Sequence, residues 1–230
     1  MSEAGPLLAA QALDVGRRGV LLRAVDWELR AGEGWFVLGR NGSGKSTLVA
    51  TLLGLLPALG GSRVAAPRLH QRLGYVPQEL RFEPPLPVTV AEFVRLALPG
   101  TAAADAVPAA LAAVGAGDLA RRRFGALSVG QRRRVMVAQA LAREPVLLVL
   151  DEPAANLDAR AASALAADLE RLRRERSLCV VHVAHDLALA QRYATHVAFV
   201  HEGRVAARPA AASWQDPALA ATLAAEVETP

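Results

Sequence analysis

The sequence is poor in aromatic residues and in cysteine. Only 4% of its 230 residues are Phe, Trp or Tyr, so the core must be built mainly from Ala, Val and Leu. With 53% hydrophobic residues the chain can still bury a large core, which excludes a disordered chain. Cys179 is the single cysteine and cannot form an internal disulfide. Its apolar neighbours predict a buried, inert thiol.

The sequence also lacks a long uninterrupted apolar run. A membrane-spanning helix needs about 20 mostly apolar residues. The best candidate, LVATLLGLLPALGG at 48–61, is too short and contains Gly and Pro. The first residues show no basic segment followed by an apolar core, so we predict no secretory signal. Although the mean hydropathy is +0.24, we expect a cytoplasmic protein.

Positive charge is present in excess and is clustered. The net charge is +4, and arginines concentrate at 121–123, 132–134 and 171–176. Such clusters are typical of solvated helix faces, or of a surface that meets nucleic acid or the inner face of a membrane. Interleaved aromatic residues, zinc-ligand spacing and a helix-turn-helix pattern are all missing, which disfavours nucleic acid.

Strand-like segments alternate with helical ones. The segments at 146–151 and 178–184 are continuously apolar, as strands buried on both faces of a parallel sheet are. The helical segment 159–175 places its apolar residues on one face. This alternation predicts an α/β fold. The five predicted strands lie at 34–39, 72–77, 146–151, 178–184 and 196–201. Residues 81–142 read as helices only and predict an inserted helical lobe, and a helical tail follows from 211.

The segment GRNGSGKST, residues 39–47, follows a predicted strand and precedes a predicted helix. Gly39, Gly44, Lys45 and Ser46 fit the pattern G-x-x-x-x-G-K-[ST]. Glycines let backbone N–H groups approach phosphate oxygens, and the helix N-terminus adds partial positive charge. Lys45 would reach the β- and γ-phosphates, and the Ser46 hydroxyl would bind Mg²⁺. We predict nucleotide contacts from the whole loop, which consists of Gly39, Arg40, Asn41, Gly42, Ser43, Gly44, Lys45, Ser46 and Thr47.

Two carboxylates end a predicted strand in VLLVLDEP, residues 146–153. Asp151 can hold Mg²⁺ through its water shell. Glu152 can orient and deprotonate a water molecule that attacks the γ-phosphate. Together with the glycine-rich loop, this pair predicts a nucleotide-hydrolysing enzyme.

The segment ALSVGQ, residues 126–131, lies upstream of these carboxylates. Ser128 and Gln131 form a capping-box pattern at a helix start. The chain here resembles the ATP-binding cassette (ABC) ATPases, whose signature reads LSGGQ. The resemblance extends from about residue 7 to about 208 in the family's order of motifs. The further matching motifs are GYVPQ at 74–78 with Gln78, NLD at 156–158 with Asp158, and AHD at 184–186 with His185.

The resemblance implies a P-loop NTPase fold. It has a RecA-like parallel sheet with flanking helices, an N-terminal antiparallel β subdomain and an inserted helical subdomain. Residues 1–230 would form one ABC ATPase domain. Its nucleotide-binding core would lie at about 1–80 and 143–210, its signature lobe at about 81–142 and its helical tail at 211–230.

The resemblance also implies site roles and partners. Two subunits would pair head to tail, and each ATP would contact one subunit's loop and the other's signature helix through Ser128, Gly130 and Gln131. Gln78 would sense Mg²⁺ and water, His185 would contact the γ-phosphate, and Asp158 would belong to the nucleotide interface. The other histidines show no metal-ligand spacing, and we expect them at the surface or at strand ends: His70, His182, His196 and His201.

Two positions depart from the family pattern. Val129 stands where the signature has its first glycine, and because Gly130 is retained we expect altered closing kinetics rather than an inactive site. Val15 stands at the position of the family's usual adenine-stacking aromatic, so we expect weaker adenine contact and looser base selectivity.

Within the family, residues 72–100 resemble the ATPase subunits of bacterial zinc importers and related manganese importers. This implies a motor subunit at the cytoplasmic face of the inner membrane. It would bind integral membrane permeases near Gln78 and the helical lobe, in a complex with an extracytoplasmic solute-binding protein. The alternatives are an exporter subunit, or a non-transport ABC ATPase that acts on nucleic acid. A single cassette without a coiled coil or zinc insertion argues against the last, so no nucleic-acid partner is expected.

Overall fold

The structure is a computed structural model that describes residues 5–78, 87–153, 157–184, 186–217 and 219. Strands and helices alternate along most of the chain. The strands are β1 (Leu8–Gly16), β2 (Val20–Leu29), β3 (Gly34–Leu38), β4 (Gly60–Ala65), β5 (Leu73–Val76), β6 (Leu147–Asp151), β7 (Cys179–Val183), β8 (His196–His201) and β9 (Arg204–Pro209). The helices are α1 (Lys45–Leu52), α2 (Val90–Arg95), α3 (Ala106–Ala113), α4 (Val129–Leu141), α5 (Ala159–Arg176), α6 (Leu187–Tyr193) and α7 (Ala210–Ser213).

The larger sheet has the strand order β5-β6-β7-β3-β8-β9. Its first five strands pair in parallel, and β9 pairs antiparallel with β8. Every residue of β3, β6 and β7 is buried, which is why these strands are mostly apolar without alternation, with Asp151 and His182 as the exceptions. The five strands predicted from the sequence are confirmed to within two residues at each end.

The smaller sheet is antiparallel, with the order β2-β1-β4. It adjoins the larger sheet where the N–H of Arg23 donates to the carbonyl of Gly203 in the β8–β9 turn, at 2.9 Å. Its inner face packs with α1 and the centre of the larger sheet into one apolar cluster that includes Leu13, Val49 and Val181. The predicted P-loop NTPase fold with an N-terminal antiparallel subdomain is therefore confirmed.

The helices α2, α3 and α4 lie in the segment expected to form the helical lobe. Phe93 of α2 stacks on Phe124 with ring centroids 4.0 Å apart. The apolar cluster around these rings continues without a break to Leu148 of β6 and Leu169 of α5. One core thus joins these helices to the second face of the parallel sheet. The predicted helical tail lies mostly outside the described residues.

Two expectations about polar residues were wrong, and one about cysteine is confirmed. Arg133, expected on a solvated helix face, is 6% exposed. His182, expected at the surface or a strand end, is buried inside β7 and stacks on Phe36 with centroids 4.6 Å apart. Cys179 is free and buried, and burial raises the pKa of its thiol, as expected for an inert side chain.

None of the helices in the described ranges combines the length and apolar character needed to cross a bilayer.

Candidate functional site

The glycine-rich loop joins the end of the central strand β3 to the start of α1. Gly44 is the N-cap of α1 and has a φ of 105°, which L side chains rarely adopt. A Cβ atom there would lie 2.6 Å from Cδ2 of Leu21. At Gly39 a Cβ atom would lie 2.4 Å from the carbonyl oxygen of Val200. Both positions therefore favour glycine, because each has a φ that L side chains rarely adopt and because a backbone carbonyl leaves no room for a Cβ atom at Gly39.

This loop presents hydrogen-bond donors suited to an anion. No side chain caps the N-terminus of α1, so its first backbone N–H groups point out of the helix end. The Ser43 hydroxyl is buried and finds no hydrogen-bond partner among the described residues. The ammonium of Lys45 donates to the carbonyls of Gly39 at 2.6 Å and Arg40 at 3.0 Å. The cation thus lies against the same loop.

Asp151 ends β6 directly beside the start of α1. The Ser46 hydroxyl donates to its Oδ1 at 3.1 Å. Burial raises the pKa of Asp151, and nearby Glu152 raises it further, while the Ser46 hydrogen bond and the cations of Arg133 and Lys45 act in the opposite direction. A hydroxyl and a carboxylate at this spacing are oxygen ligands of the kind that Mg²⁺ prefers.

Glu152 has a left-handed backbone conformation, with a φ of 49°, which is uncommon outside glycine. Its N–H donates to the carbonyl of Val183 at 2.9 Å. Its carboxylate accepts a hydrogen bond from Nε2 of Gln78 at 2.6 Å. Gln78 follows β5 and Glu152 follows β6, and parallel strands end at the same edge of a sheet. Residues that are 74 positions apart in the sequence therefore meet here.

The signature segment forms the N-terminus of α4. Ser128 accepts a hydrogen bond from the N–H of Gln131 at 3.3 Å, and the Gln131 side chain accepts one from the N–H of Ser128 at 3.2 Å. The predicted capping box is confirmed. Val129 is 55% exposed, and a Cβ at Gly130 would lie 3.2 Å from Leu157. In the described part of the chain, no hydrogen bond joins these residues to the glycine-rich loop.

The remaining predicted residues are placed as follows. Asp158 is the N-cap of α5, and its Oδ1 accepts a hydrogen bond from the N–H of Ala161 at 2.7 Å. His185 and Asn156 lie outside the described residues.

Sequence reasoning missed the guanidinium of Arg133. It lies on α4 and donates to backbone carbonyls on both sides of the Gln78–Glu152 contact, and the five acceptors belong to Pro77, Gln78, Asp151, Glu152 and Pro153. The signal that could have found it is helical periodicity. Arg133 precedes the buried residues Met136 and Val137 by three and four positions, so it lies on the buried face of α4.

Comparison with known proteins explains the arrangement. Residues 22–155 match the sequence pattern of the family described as "ABC transporter". The chain belongs to the ABC transporter family. It is an ATP-binding ATPase cassette of that family, which confirms both the resemblance and the enzymatic activity predicted from the sequence.

Curated relatives of this ABC cassette include two zinc import ATP-binding proteins named ZnuC. The one from Ruegeria pomeroyi is 41% identical over 183 residues, covering 79% of this chain and 70% of that protein. The one from Yersinia pestis is 45% identical over 169 residues, covering 74% and 65%. The chain thus spans about two thirds of the length of these relatives.

Solved structures show the same cassette fold. The structure of cbiO1 from Clostridium perfringens, part of the ABC transporter complex cbiONQ, has a TM-score of 0.80 at 25% identity, covering 92% of each chain. A nucleotide-free ATP-binding cassette from an ABC transporter has a TM-score of 0.79 at 22% identity, covering 94% of this chain and 97% of that one. The second comparison supports the fold alone.

The position of Val15 is unusual for an ABC cassette by the family pattern described above. Its side chain is completely buried, and it pairs with Leu22 across β1 and β2. It belongs to the apolar cluster under the small sheet. Val15 therefore offers no exposed side-chain surface on which a base could stack.

Proposed function

We propose that this cassette is the ATP-hydrolysing motor of a transporter that imports a divalent metal, with zinc as the first candidate. The observation that carries the hydrolytic part is the pair of contacts at one sheet edge. Gln78 meets Glu152 at 2.6 Å, and Ser46 meets Asp151 at 3.1 Å beside the anion-binding loop. A phosphate-binding loop, a pair of Mg²⁺ ligands and a candidate base then lie within one site.

The glycine-rich loop would hold the triphosphate. The N–H groups at the start of α1 and the Ser43 hydroxyl would donate to phosphate oxygens, and Lys45 would exchange its two loop carbonyls for the β- and γ-phosphates. Because several fixed donors converge on one anion, the loop would bind the phosphates far more strongly than it binds the base. Contacts from Arg40, Asn41, Gly42 and Thr47 would complete the cradle.

Ser46 and Asp151 would hold Mg²⁺, and Gln78 would join them through a water molecule. When bound, this ion supplies positive charge that offsets the charge of the phosphate oxygens. The hydroxyl–carboxylate pair fits such an ion, because both groups are hard oxygen donors and the raised pKa of Asp151 reflects a buried carboxyl that a cation would stabilise as carboxylate.

Glu152 would act as the general base. It would take a proton from the water whose oxygen attacks the γ-phosphorus, while the bond from that phosphorus to the β–γ bridging oxygen breaks and ADP leaves. Gln78 would orient both Glu152 and the water, and His185 would contact the γ-phosphate. Each of these roles is inferred from position and from the family resemblance.

The signature helix would complete the site of a second subunit. Val129 is exposed at the N-terminus of α4, where the first-turn N–H groups favour an anion. We infer a head-to-tail homodimer in which Ser128, Gly130 and Gln131 contact the partner's nucleotide, with Asp158 nearby. Membrane permeases would bind beside Gln78 and the helices α2 to α4, at the cytoplasmic face of the inner membrane. An extracytoplasmic solute-binding protein would deliver the solute.

The choice of zinc rests on the relatives, which are named zinc import ATP-binding proteins. Manganese is the second candidate, because residues 72–100 resemble manganese-importer subunits as well. In the ranges that the structure covers, no group of three or more His, Cys, Asp or Glu could hold a metal ion. The transported metal would be bound by the partner proteins.

The test combines hydrolysis and uptake. Lys45→Ala should abolish most ATP binding and hydrolysis by the purified cassette with its permease. Arg30→Ala is the matched control, because Arg30 is exposed and, in the described part of the chain, its side chain donates a hydrogen bond to Glu28 alone, so this variant should keep wild-type activity. In cells of the source organism under metal limitation, Lys45→Ala should lose zinc accumulation. Unchanged zinc and manganese uptake would refute the metal assignment, and unchanged ATP affinity would refute the phosphate cradle.

A further inference from the structure

We propose that Arg133 is a positioning residue for ATP hydrolysis. Its side chain ties the backbone at Pro77 and Gln78, and the backbone at Asp151 to Pro153, to the signature helix α4. This inference rests on the function proposed above. It assigns a role to a side chain that lies in the middle of an arginine cluster and touches no nucleotide-binding residue of the glycine-rich loop.

The contacts of Arg133 converge on two chain segments. Towards the Gln78 segment, Nη1 donates to the carbonyl of Pro77 at 2.8 Å and Nη2 to the carbonyl of Gln78 at 3.3 Å. Towards the end of β6, Nη2 also donates to the carbonyls of Asp151, at 3.2 Å, and of Glu152. The guanidinium thus bridges the segment that carries the Gln78 amide and the segment that carries the Glu152 carboxylate.

The fifth contact closes this bridge. Nε of Arg133 donates to the carbonyl of Pro153 at 3.1 Å. Arginine is the only side chain whose donors form a rigid planar fork able to serve several acceptors at once. The carbonyls of three consecutive residues, Asp151 to Pro153, are therefore held by one side chain.

Burial of Arg133 raises the energetic cost of losing these hydrogen bonds. Arg133 is 6% exposed, and a buried cation is stable only when its donors are satisfied. Burial lowers the pKa of Arg133, whereas Asp151 and Glu152 raise it. Removing the guanidinium would take one donor from each of the five carbonyls, of which those of Asp151 and Pro153 are bonded in a buried position, and the two segments would lose their common anchor.

The backbone at Glu152 is the part that needs such an anchor. Its φ of 49° is a conformation that a non-glycine residue keeps only when its surroundings hold it. Its described contacts include three that do so: its N–H donates to the carbonyl of Val183, its carboxylate accepts from Gln78, and its carbonyl accepts from Arg133. Without the third contact, the peptide can relax and turn the carboxylate away from Gln78.

Because Arg133 lies on α4, it also connects the N-terminus of that helix to the Gln78–Glu152 contact. Ser128, at the N-terminus of the same helix, lies five residues earlier, which is about 7.5 Å along the helix axis. In the proposed dimer that N-terminus meets the partner's ATP. A small movement of α4 would therefore be transmitted by Arg133 to Gln78 and Glu152 within its own subunit.

The neighbouring arginines have different contacts and provide the control. Arg132 lies over the Phe124 ring at 5.7 Å. Arg134 donates to the carbonyl of Val114 at 2.7 Å and forms an ion pair with Asp168 at 3.2 Å. Arg134 thus joins α4 to α3 and α5, away from the Gln78–Glu152 contact. Arg134→Gln removes the same type of group from the next position of the helix.

The first experiment separates binding from turnover. We compare wild type, Arg133→Gln, Arg133→Lys and Arg134→Gln, measuring ATP affinity with a fluorescent ATP analogue and kcat by phosphate release. Both Arg133 variants should keep the affinity within about threefold and lose about tenfold or more in kcat, because the lost contacts orient the reacting groups rather than the ground-state nucleotide. Arg134→Gln should stay within about twofold in both quantities.

The second experiment is a double-mutant cycle with Glu152→Gln. If Arg133 acts through Glu152, then Arg133→Gln should lower the rate by less than about twofold in the Glu152→Gln background, although it lowers the wild-type rate about tenfold. A purely structural role would give the same loss in both backgrounds. Equal losses, or a wild-type kcat in Arg133→Gln, would overturn the proposal.

Folding is checked by circular dichroism and thermal unfolding of each variant. If neither Arg133 variant folds while Arg134→Gln does, Arg133 is a structural residue and the proposal is wrong. The proposed function fails in a different way, namely when the wild-type complex does not hydrolyse ATP or Lys45→Ala hydrolyses it normally. The two failures are therefore distinguishable in one set of measurements.

Discussion

Val15 stands, by the family resemblance, at the position where an aromatic side chain would stack on the nucleotide base. Its side chain is fully buried against the small sheet, whereas an aromatic at this position would offer a stacking face worth on the order of 1 kcal/mol or more. Since the phosphate contacts proposed above would come mainly from backbone N–H groups and Lys45, most of the affinity should be independent of the base.

We therefore expect the cassette to use GTP and CTP with a kcat/KM within about tenfold of that for ATP. The measurement is phosphate release at varied concentrations of each nucleotide. Lys45→Ala serves as the control and should lose turnover with all three nucleotides alike. A preference for ATP above about a hundredfold would show that another side chain recognises adenine.

His182 makes the stability of the fold sensitive to acid. Burial lowers the pKa of His182 from 6.5 to about 4, although nearby Glu170 acts in the opposite direction. Between these values the unfolded chain binds more protons than the folded chain, so the free energy of unfolding must fall as the pH falls. The full effect, reached near pH 4, is about 3 kcal/mol.

His182→Leu should therefore flatten the decrease in melting temperature between pH 7 and pH 5. The control is His70→Leu, at an exposed position, which should keep the wild-type slope. Melting curves at several pH values give the comparison. An unchanged slope in His182→Leu would mean that His182 is not the group that binds the proton on unfolding.

At the scale of elements, the first turn of α4 carries the departure from the family signature. Val129 is 55% exposed and lies within the helix, so it neither packs in the core nor needs a glycine conformation. The capping box formed by Ser128 and Gln131 is intact beside it. We expect Val129→Gly to change the ATPase rate by less than about tenfold, because glycine weakens a helix by only about 1 kcal/mol.

This expectation is checked by the kcat of Val129→Gly in the assembled complex, with Val129→Ala as the matched control that removes the branched side chain without weakening the helix. If Val129→Gly converts an inactive protein into an active one, then Val129 blocks the site and the expectation of altered closing kinetics is wrong.

The strands of the parallel sheet and the phosphate-binding loop could be predicted because local chemistry determines them. β6 and β7 are apolar at every position except Asp151 and His182, since both faces of the sheet are covered, and Gly44 marks a helix start of the kind that suits an anion. The capping box of α4 was equally readable from Ser128 and Gln131. Each of these signals lies within a few residues of sequence.

The contacts missed from the sequence depend on residues far apart along the chain. Arg133 belongs to a run of three arginines whose composition indicates solvent exposure, and only the packing of α4 against β5 and β6 buries it. His182 was misjudged because its partner Phe36 lies on a strand 146 positions away, paired in register with it. Helical periodicity can place Arg133 on the buried face of α4, but no local signal in the sequence names its carbonyl partners or the partner of His182.

At the scale of the whole molecule, hydrolysis should control association. If the nucleotide lies between two cassettes, blocking hydrolysis should keep the pair closed, since the γ-phosphate would join the loop of one copy to the α4 N-terminus of the other. Glu152→Gln should therefore form an ATP-dependent dimer with at least about tenfold slower turnover.

Size-exclusion chromatography with light scattering measures this dimer directly. Lys45→Ala with ATP should elute as the monomer, as should Glu152→Gln with ADP. A Glu152→Gln variant that turns over normally would remove Glu152 from the role of base. One that turns over slowly but remains monomeric would instead contradict the head-to-tail arrangement.

The glycine-rich loop also has a consequence for covalent labelling. Lys45 is the only lysine in the sequence, and its ammonium lies against the carbonyls of Gly39 and Arg40. An amine-directed reagent can therefore modify one side chain, that of Lys45, which is expected to bind the phosphates of ATP. The rate at which Lys45 reacts would then report nucleotide occupancy, without a mutation or an attached dye. For the same reason, acetylation or ubiquitination of a lysine in this sequence can only occur at Lys45, and it would remove the positive charge on which the phosphate cradle depends.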